Sequence, residues 1–177
     1  PERRSAQTTW AYILSMLIHD FQPILVYTTD EVIPHLPASM RDNQEHAALL
    51  DWYEAPMAAA EYEPLLDAHK ALVEARGAFT KAYEEAASAG VVPEKTSQAA
   101  SAALTMPADA LEVLTATGID LAEPLVCSAV TVVAGDEFSA VVSHAEGERC
   151  PRCWNWRELG EDGLCKRCHD AVESAAE

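Results

Sequence analysis

Four cysteines close to the C-terminus constrain this chain more than any other feature. They read Cys150-Pro151-Arg152-Cys153 and, eleven residues on, Cys165-Lys166-Arg167-Cys168. Two C-x2-C pairs put four thiolates where two tight turns can surround one cation. Zn²⁺ favours four such ligands in a tetrahedron, and a full cysteine set leaves no position open to water. The spacing predicts a structural zinc knuckle on Cys150, Cys153, Cys165 and Cys168, not a catalytic metal. The competing reading is two disulfides in a secreted domain. The sequence offers it neither a signal peptide nor a further cysteine pair. The fifth cysteine, Cys127, lies in the apolar run Leu125–Val130 with no basic neighbour, and reads as a small buried hydrophobe. His144 and His169 lie near the cysteines, but four sulfurs already fill the tetrahedron.

Charge is the next constraint. The formal net charge is −17, which argues against phosphate binding by the body of the chain. The distribution is uneven. Of 12 basic residues, five fall in the zinc segment: Arg149, Arg152, Arg157, Lys166 and Arg167. Only Glu158, Glu161 and Asp162 oppose them there. This basic tip either contacts nucleic acid or merely solvates the module and offsets thiolate charge. Trp154 and Trp156 flank Asn155 in the same segment. An exposed ring beside arginines suits an unstacked base, whereas a buried ring would cover the core of so small a module. One ring of each kind is expected.

Hydrophobic content of 49% is enough for a packed core. No apolar run approaches a membrane span, so a soluble chain is expected. The chain opens at Pro1 directly into a helical pattern, as a piece of a larger protein would. Apolar Trp10, Ile13, Leu14, Leu17 and Ile18 form a stripe on a helix over residues 3–21, which Pro23 ends. Thr28-Thr29-Asp30-Glu31 reads as a capping box with Tyr27 and Val32 as staple, starting a short helix that Pro37 stops. Residues 38–63 read as a connection packed on the body through Trp52, Tyr53 and Pro56. A long helix is predicted over 65–89, burying Leu65, Leu66, Leu72, Val73, Phe79 and Tyr83 and capped by Gly90. A strand at 102–106, a helix from Pro107 to Gly118 and a β-hairpin of 125–133 with 138–144 follow. The knuckle begins near Gly147, with a closing helix from His169. No acid/base constellation of the kind catalysis requires is present.

Three stretches together resemble the C-terminal end of bacterial isoleucyl-tRNA synthetases. The first is Phe21 to Pro37, similar to the segment that closes the helical anticodon-binding domain of class I synthetases for Ile, Val and Leu. The second is Arg76 to Glu85, similar to the helix that follows. The third is Glu146-Gly147-Glu148-Arg149-Cys150-Pro151-Arg152-Cys153-Trp154-Asn155-Trp156 with Leu164-Cys165-Lys166-Arg167-Cys168. It resembles the terminal zinc module that distinguishes the isoleucine enzymes. The resemblance covers nearly the whole chain.

It implies a mixed α+β fold: the helical end of an anticodon-binding bundle (1–63), a small α/β layer with a β-hairpin (64–145) and a four-cysteine zinc knuckle (146–177). It implies a cytoplasmic parent enzyme that attaches isoleucine to its tRNA with ATP. The HIGH and KMSKS motifs of the catalytic domain do not occur here, so this part would hold tRNA without catalysing. Trp154 would stack on a base, with Arg152, Arg157, Trp156, Lys166 and Arg167 as further candidate tRNA contacts. The implied partners are tRNA(Ile) and the rest of the synthetase chain, with no membrane and no DNA. Two other readings compete: a non-enzymatic zinc-ribbon module that binds protein, and a formamidopyrimidine-type DNA glycosylase, whose Pro-Glu start Pro1-Glu2 matches. The glycosylase would need a β-rich start and a basic body.

Overall fold

The computed structural model describes residues 2–52, 54 and 59–176. The described residues form a mixed α/β fold with six α-helices and two small sheets. It divides into two units, Pro1–Ala58 and Ala59–Glu177. No helix among the described residues is long and apolar enough to cross a membrane.

The first unit carries α1 (Glu2–Phe21) and α2 (Val26–Val32), followed by 3-10 turns at Ile33–His35, Ala38–Met40 and Ala47–Leu49. Its core is small: Ile18, Ile33, Leu36 and Ala47. The expected helix forms, but only Ile18 of its stripe is buried; Trp10 remains 73% exposed and Ile13 44%. A core of four side chains has no surface left for the rest of the stripe. The capping box does not form either. α2 begins at Val26 with Leu25 as N-cap and no side-chain cap. The Thr29 hydroxyl donates to the Leu25 carbonyl at 3.0 Å, so it lies inside the helix and bonds backward. Tyr27 is 90% exposed and staples nothing. Asp30 instead holds the connection, accepting the Ala47 N–H at 2.8 Å and meeting His46 Nδ1 at 2.9 Å. Trp52 is exposed and anchors no loop; Tyr53 and Pro56 lie outside the described residues.

In the second unit, α3 (Ala59–Ser88) packs on a three-stranded sheet of β1 (Ala100–Met106), β2 (Ala129–Ala134) and β3 (Ser139–His144). α3 starts earlier than expected and carries Pro64 inside it. Of its expected buried face, Phe79 is buried and Leu72 and Tyr83 pack partly buried against the core, but the rest differs. Ala68, Ala71, Ala75, Phe79 and Ala86 face inward, while Leu65, Leu66 and Val73 are exposed. Small side chains let the helix approach the sheet closely. Its end follows expectation: Val91 N–H donates to Ala86 O and Gly90 N–H to Ala87 O, with Gly90 at φ 77°. That is a Schellman cap at the left-handed position glycine adopts most readily.

The expected β-hairpin is not formed. The strand order is β2-β1-β3, with β2 parallel and β3 antiparallel to β1. Leu125 closes a short helix, α5 (Ala122–Leu125), and Val126 is left-handed at φ 56°. The strand therefore starts only at Ala129. It runs parallel to β1 through the crossover helix α4 (Ala108–Ala116), the connection that parallel strands need. Ala102, Leu104 and Met106 of β1 face α3 and α4, forming the main core with Phe79, Leu114 and Leu125.

Candidate metal centre and its basic surround

The terminal segment is built around a short antiparallel ladder. β4 (Glu148–Arg149) pairs with β5 (Trp156–Arg157), and the first C-x2-C turn lies between them. Gly147 opens the ladder at φ 89°, where a Cβ would fall 2.6 Å from the Arg157 carbonyl. Only glycine allows that approach. Across the turn, Cys150 N–H donates to Asn155 O and Trp154 N–H to Cys150 O, both at 2.9 Å. The second pair begins at Cys165, and α6 (Lys166–Ala176) starts at once and carries Cys168. The closing helix thus begins inside the second pair, three residues before the expected His169.

The four sulfurs of Cys150, Cys153, Cys165 and Cys168 all lie within 4.8 Å of one another. Cys153 and Cys165 are 3.7 Å apart. Metal–sulfur bonds of about 2.3 Å in a tetrahedron require sulfurs about 3.8 Å apart. The set therefore lies close enough to bind one metal ion, and its softness suits zinc or iron, not calcium or magnesium. Cys150, Cys165 and Cys168 are buried, with Leu159 and Leu164 packed against them. Burial pushes the Cys150 thiol up, but N–H groups of Cys153, Cys165 and Arg152 directed at its sulfur outweigh this and bring it to about 6. Burial raises Cys153 to about 12. The backbone thus favours the thiolate at Cys150, while burial favours the protonated thiol at Cys153. His169 is no part of the cluster: its ring meets Asp162 at 2.9 Å and Glu173 at 3.3 Å. Cys127 is buried as expected, its thiol pushed up to about 11 by burial.

The two tryptophans separate. Trp154, left-handed at φ 68°, is 53% exposed, and the Arg149 guanidinium lies over its ring at 4.9 Å. Trp156 is half-buried. It packs against Val92, Ala99 and Ala100, edge-on to His144 at 5.9 Å. It therefore covers the α/β layer, not the sulfurs. The basic residues have different partners. Arg152 donates to the Cys168 sulfur at 3.6 Å, Arg167 pairs with Glu123 at 3.3 Å and Lys166 with Asp170 at 3.3 Å. The two ion pairs lie at the solvent surface, where such contacts contribute little to stability.

Sequence reasoning missed two residues here. Arg149 was visible only as a charge next to Cys150; the closed turn brings it over Trp154. Ser128, in the run assigned to a strand, is 4% exposed. Its hydroxyl accepts the Trp156 N–H at 2.7 Å and donates to the Gln98 carbonyl. It fastens the ladder to the α/β layer. A larger groove, of about 710 Å³, lies in the first unit beside Arg4, Tyr12, His19 and Met40. Pro37 and Trp52 line it too, but none of the metal-ligand or tRNA-contact residues expected from the sequence does.

No family model matches the chain. Curated proteins do. It is 31% identical over 195 residues to the isoleucine–tRNA ligase of Nitratidesulfovibrio vulgaris, covering 99% of this chain and 20% of the relative. It is 32% identical to that of Desulfovibrio desulfuricans over 97% of the chain, and 30% identical to that of Erwinia tasmaniensis over 99%. The chain spans about a fifth of the length of these relatives. All three are ligases, and none is a DNA glycosylase.

Proposed function

We propose that the chain, 30–32% identical to isoleucine–tRNA ligases over nearly all its length, is the counterpart of their C-terminal part, a tRNA-holding end without catalytic chemistry of its own. The parent protein would be a cytoplasmic aminoacyl-tRNA synthetase that joins isoleucine to tRNA(Ile). ATP would be consumed in a catalytic domain outside these residues. Residues 1–63 close the anticodon-binding bundle, 64–145 form a junction, and 146–177 form the zinc module. The exposed stripe of α1, with Trp10 and Ile13, would be covered by the rest of the synthetase chain.

Zn²⁺ is the ion assigned to Cys150, Cys153, Cys165 and Cys168. When bound, it supplies folding energy to a module too small to bury a core of its own. With four sulfurs around it the ion would have no open position, so its role would be structural. One observation carries the reading: the half-exposed Trp154 ring, with Arg149 over it, projects from the turn that the metal would hold. A base can stack on the free side of such a ring, while Arg157, Lys166 and Arg167 attract the backbone. Arg152, turned to the Cys168 sulfur, offsets thiolate charge and contributes to RNA only at longer range. Trp156 supports the surface from beneath.

A titration of the zinc-loaded chain with isoleucine tRNA and with valine tRNA, at low and moderate salt, tests the proposal. Tighter binding to the first that weakens steeply with salt is expected, because phosphate contacts release counterions. No binding to either tRNA overturns it. The net charge of −17 favours a second reading, a zinc-ribbon module that docks protein; its binding would be insensitive to salt.

A further inference from the structure

A cleft of about 340 Å³ opens between α5 and the first cysteine turn. It is lined by Gln98, Val126, Cys127, Asn155, Arg157 and Arg167, among others. Its size is at the small end of the range for small-molecule sites, about 300–1,000 Å³. It has room for one planar ring system and not for a folded segment.

Its chemistry is mixed in a specific way. Gln98, Asn155 and Arg157 are all half-buried, and among the described residues their side chains have no hydrogen-bond partner in the protein. Two carboxamides, each with a donor and an acceptor on one plane, therefore border the cleft unused. Val126 and Cys127 supply an apolar wall. Val126 holds a left-handed conformation, at φ 56° and ψ 48°, that β-branched residues rarely adopt. Ser97 fixes it by donating its hydroxyl hydrogen to the Val126 carbonyl at 2.8 Å. Charge is locally reversed against the acidic chain. Arg157 and Arg167 face a single acid, Glu123, which Arg167 already engages at 3.3 Å. Both chain neighbours of the exposed Trp154, Cys153 and Asn155, line this cleft.

We propose that the cleft receives one extruded nucleotide of the RNA held at Trp154: its base edge meets the Gln98 and Asn155 carboxamides and its phosphate meets Arg157. Single-stranded loops are read in this way, by splayed bases hydrogen-bonded along their edges beside an aromatic stack. The inference rests on the tRNA reading above and adds a second, edge-reading pocket to the stacking surface.

The test uses the zinc-loaded full chain and an anticodon stem-loop of isoleucine tRNA, with each loop position in turn made abasic. Wild-type protein is expected to lose about tenfold in affinity at one position beyond the one that stacks on Trp154. In Gln98→Ala, and independently in Asn155→Ala, that extra loss should shrink to twofold or less, while the loss at the stacking position and the zinc content stay unchanged. Retention of the full wild-type abasic profile by both variants overturns the cleft and leaves the tRNA reading standing. Failure of the wild-type chain to bind the stem-loop at all overturns both.

Discussion

The Trp156 backbone N–H donates to the Ser128 hydroxyl at 2.7 Å, and that hydroxyl in turn donates to the Gln98 carbonyl. One buried oxygen thus ties the strand after the first cysteine turn to the start of the central sheet. Ser128→Ala removes the partner of the Trp156 N–H and of the Gln98 carbonyl, both on half-buried residues, at a cost of about 1–3 kcal/mol. Denaturant unfolding followed by tryptophan fluorescence should register that loss, while a wild-type midpoint would mean that water replaces the hydroxyl.

Removing the metal should act locally. The knuckle's cluster is only Cys150, Cys165 and Cys168 with Cys153, Leu159 and Leu164 partly buried against them, whereas the α/β layer has its own core around Phe79, Leu104 and Leu114. Chelation, or Cys165→Ser, is expected to abolish metal binding and broaden the amide signals of residues 148–168. Signals of α3 and β1 should persist. Unchanged metal stoichiometry in Cys165→Ser would remove Cys165 from the ligand set.

The first unit carries a pH-dependent fastener. Hydrogen bonds from His46 and then the Ala47 N–H hold the Asp30 carboxyl below its ordinary 3.8. Hydrogen bonding to Asp30 raises His46 above its ordinary 6.5. The lowered acid contributes stability above 3.8 that is lost as pH falls through its folded value. The raised base contributes stability below 6.5 that is lost as pH rises through its folded value. Together they stabilise most between about pH 4 and 6.5. His46→Gln should lower the thermal midpoint near pH 5.5 and have no effect near pH 9; an equal effect at both would contradict a charged pair.

Much of this structure was legible in the sequence, and the exceptions share a cause. The C-x2-C spacing brought the four sulfurs together because ligand geometry is local. The Gly90 cap was readable for the same reason. The alanine face of α3 was not, since Leu65, Leu66 and Val73 outweigh Ala71 and Ala75 in any hydrophobic count. What decided the face was how closely a helix must approach the sheet. The parallel partner of β2 was hidden too. The alternation of β-rich residues after Ser128 fits a hairpin and a crossover strand equally, and the choice lies in a long-range register with β1. Thr28-Thr29-Asp30-Glu31 has the residues of a capping box, but the Phe21 carbonyl already accepts the Leu25 N–H at 2.7 Å, and the chain is turning before Thr28 is reached. Gln98 and Asn155 carried no signal, because their convergence depends on how the knuckle docks.

The most direct test of the tRNA-holding account is the affinity of Trp154→Ala for isoleucine tRNA, measured with zinc content on the same samples. Loss of one base stack, worth about 1–3 kcal/mol, predicts at least fivefold weaker binding with one zinc retained per chain. Equal affinity of wild type and variant, with zinc intact in both, would contradict the account and leave Trp154 as an ordinary exposed side chain.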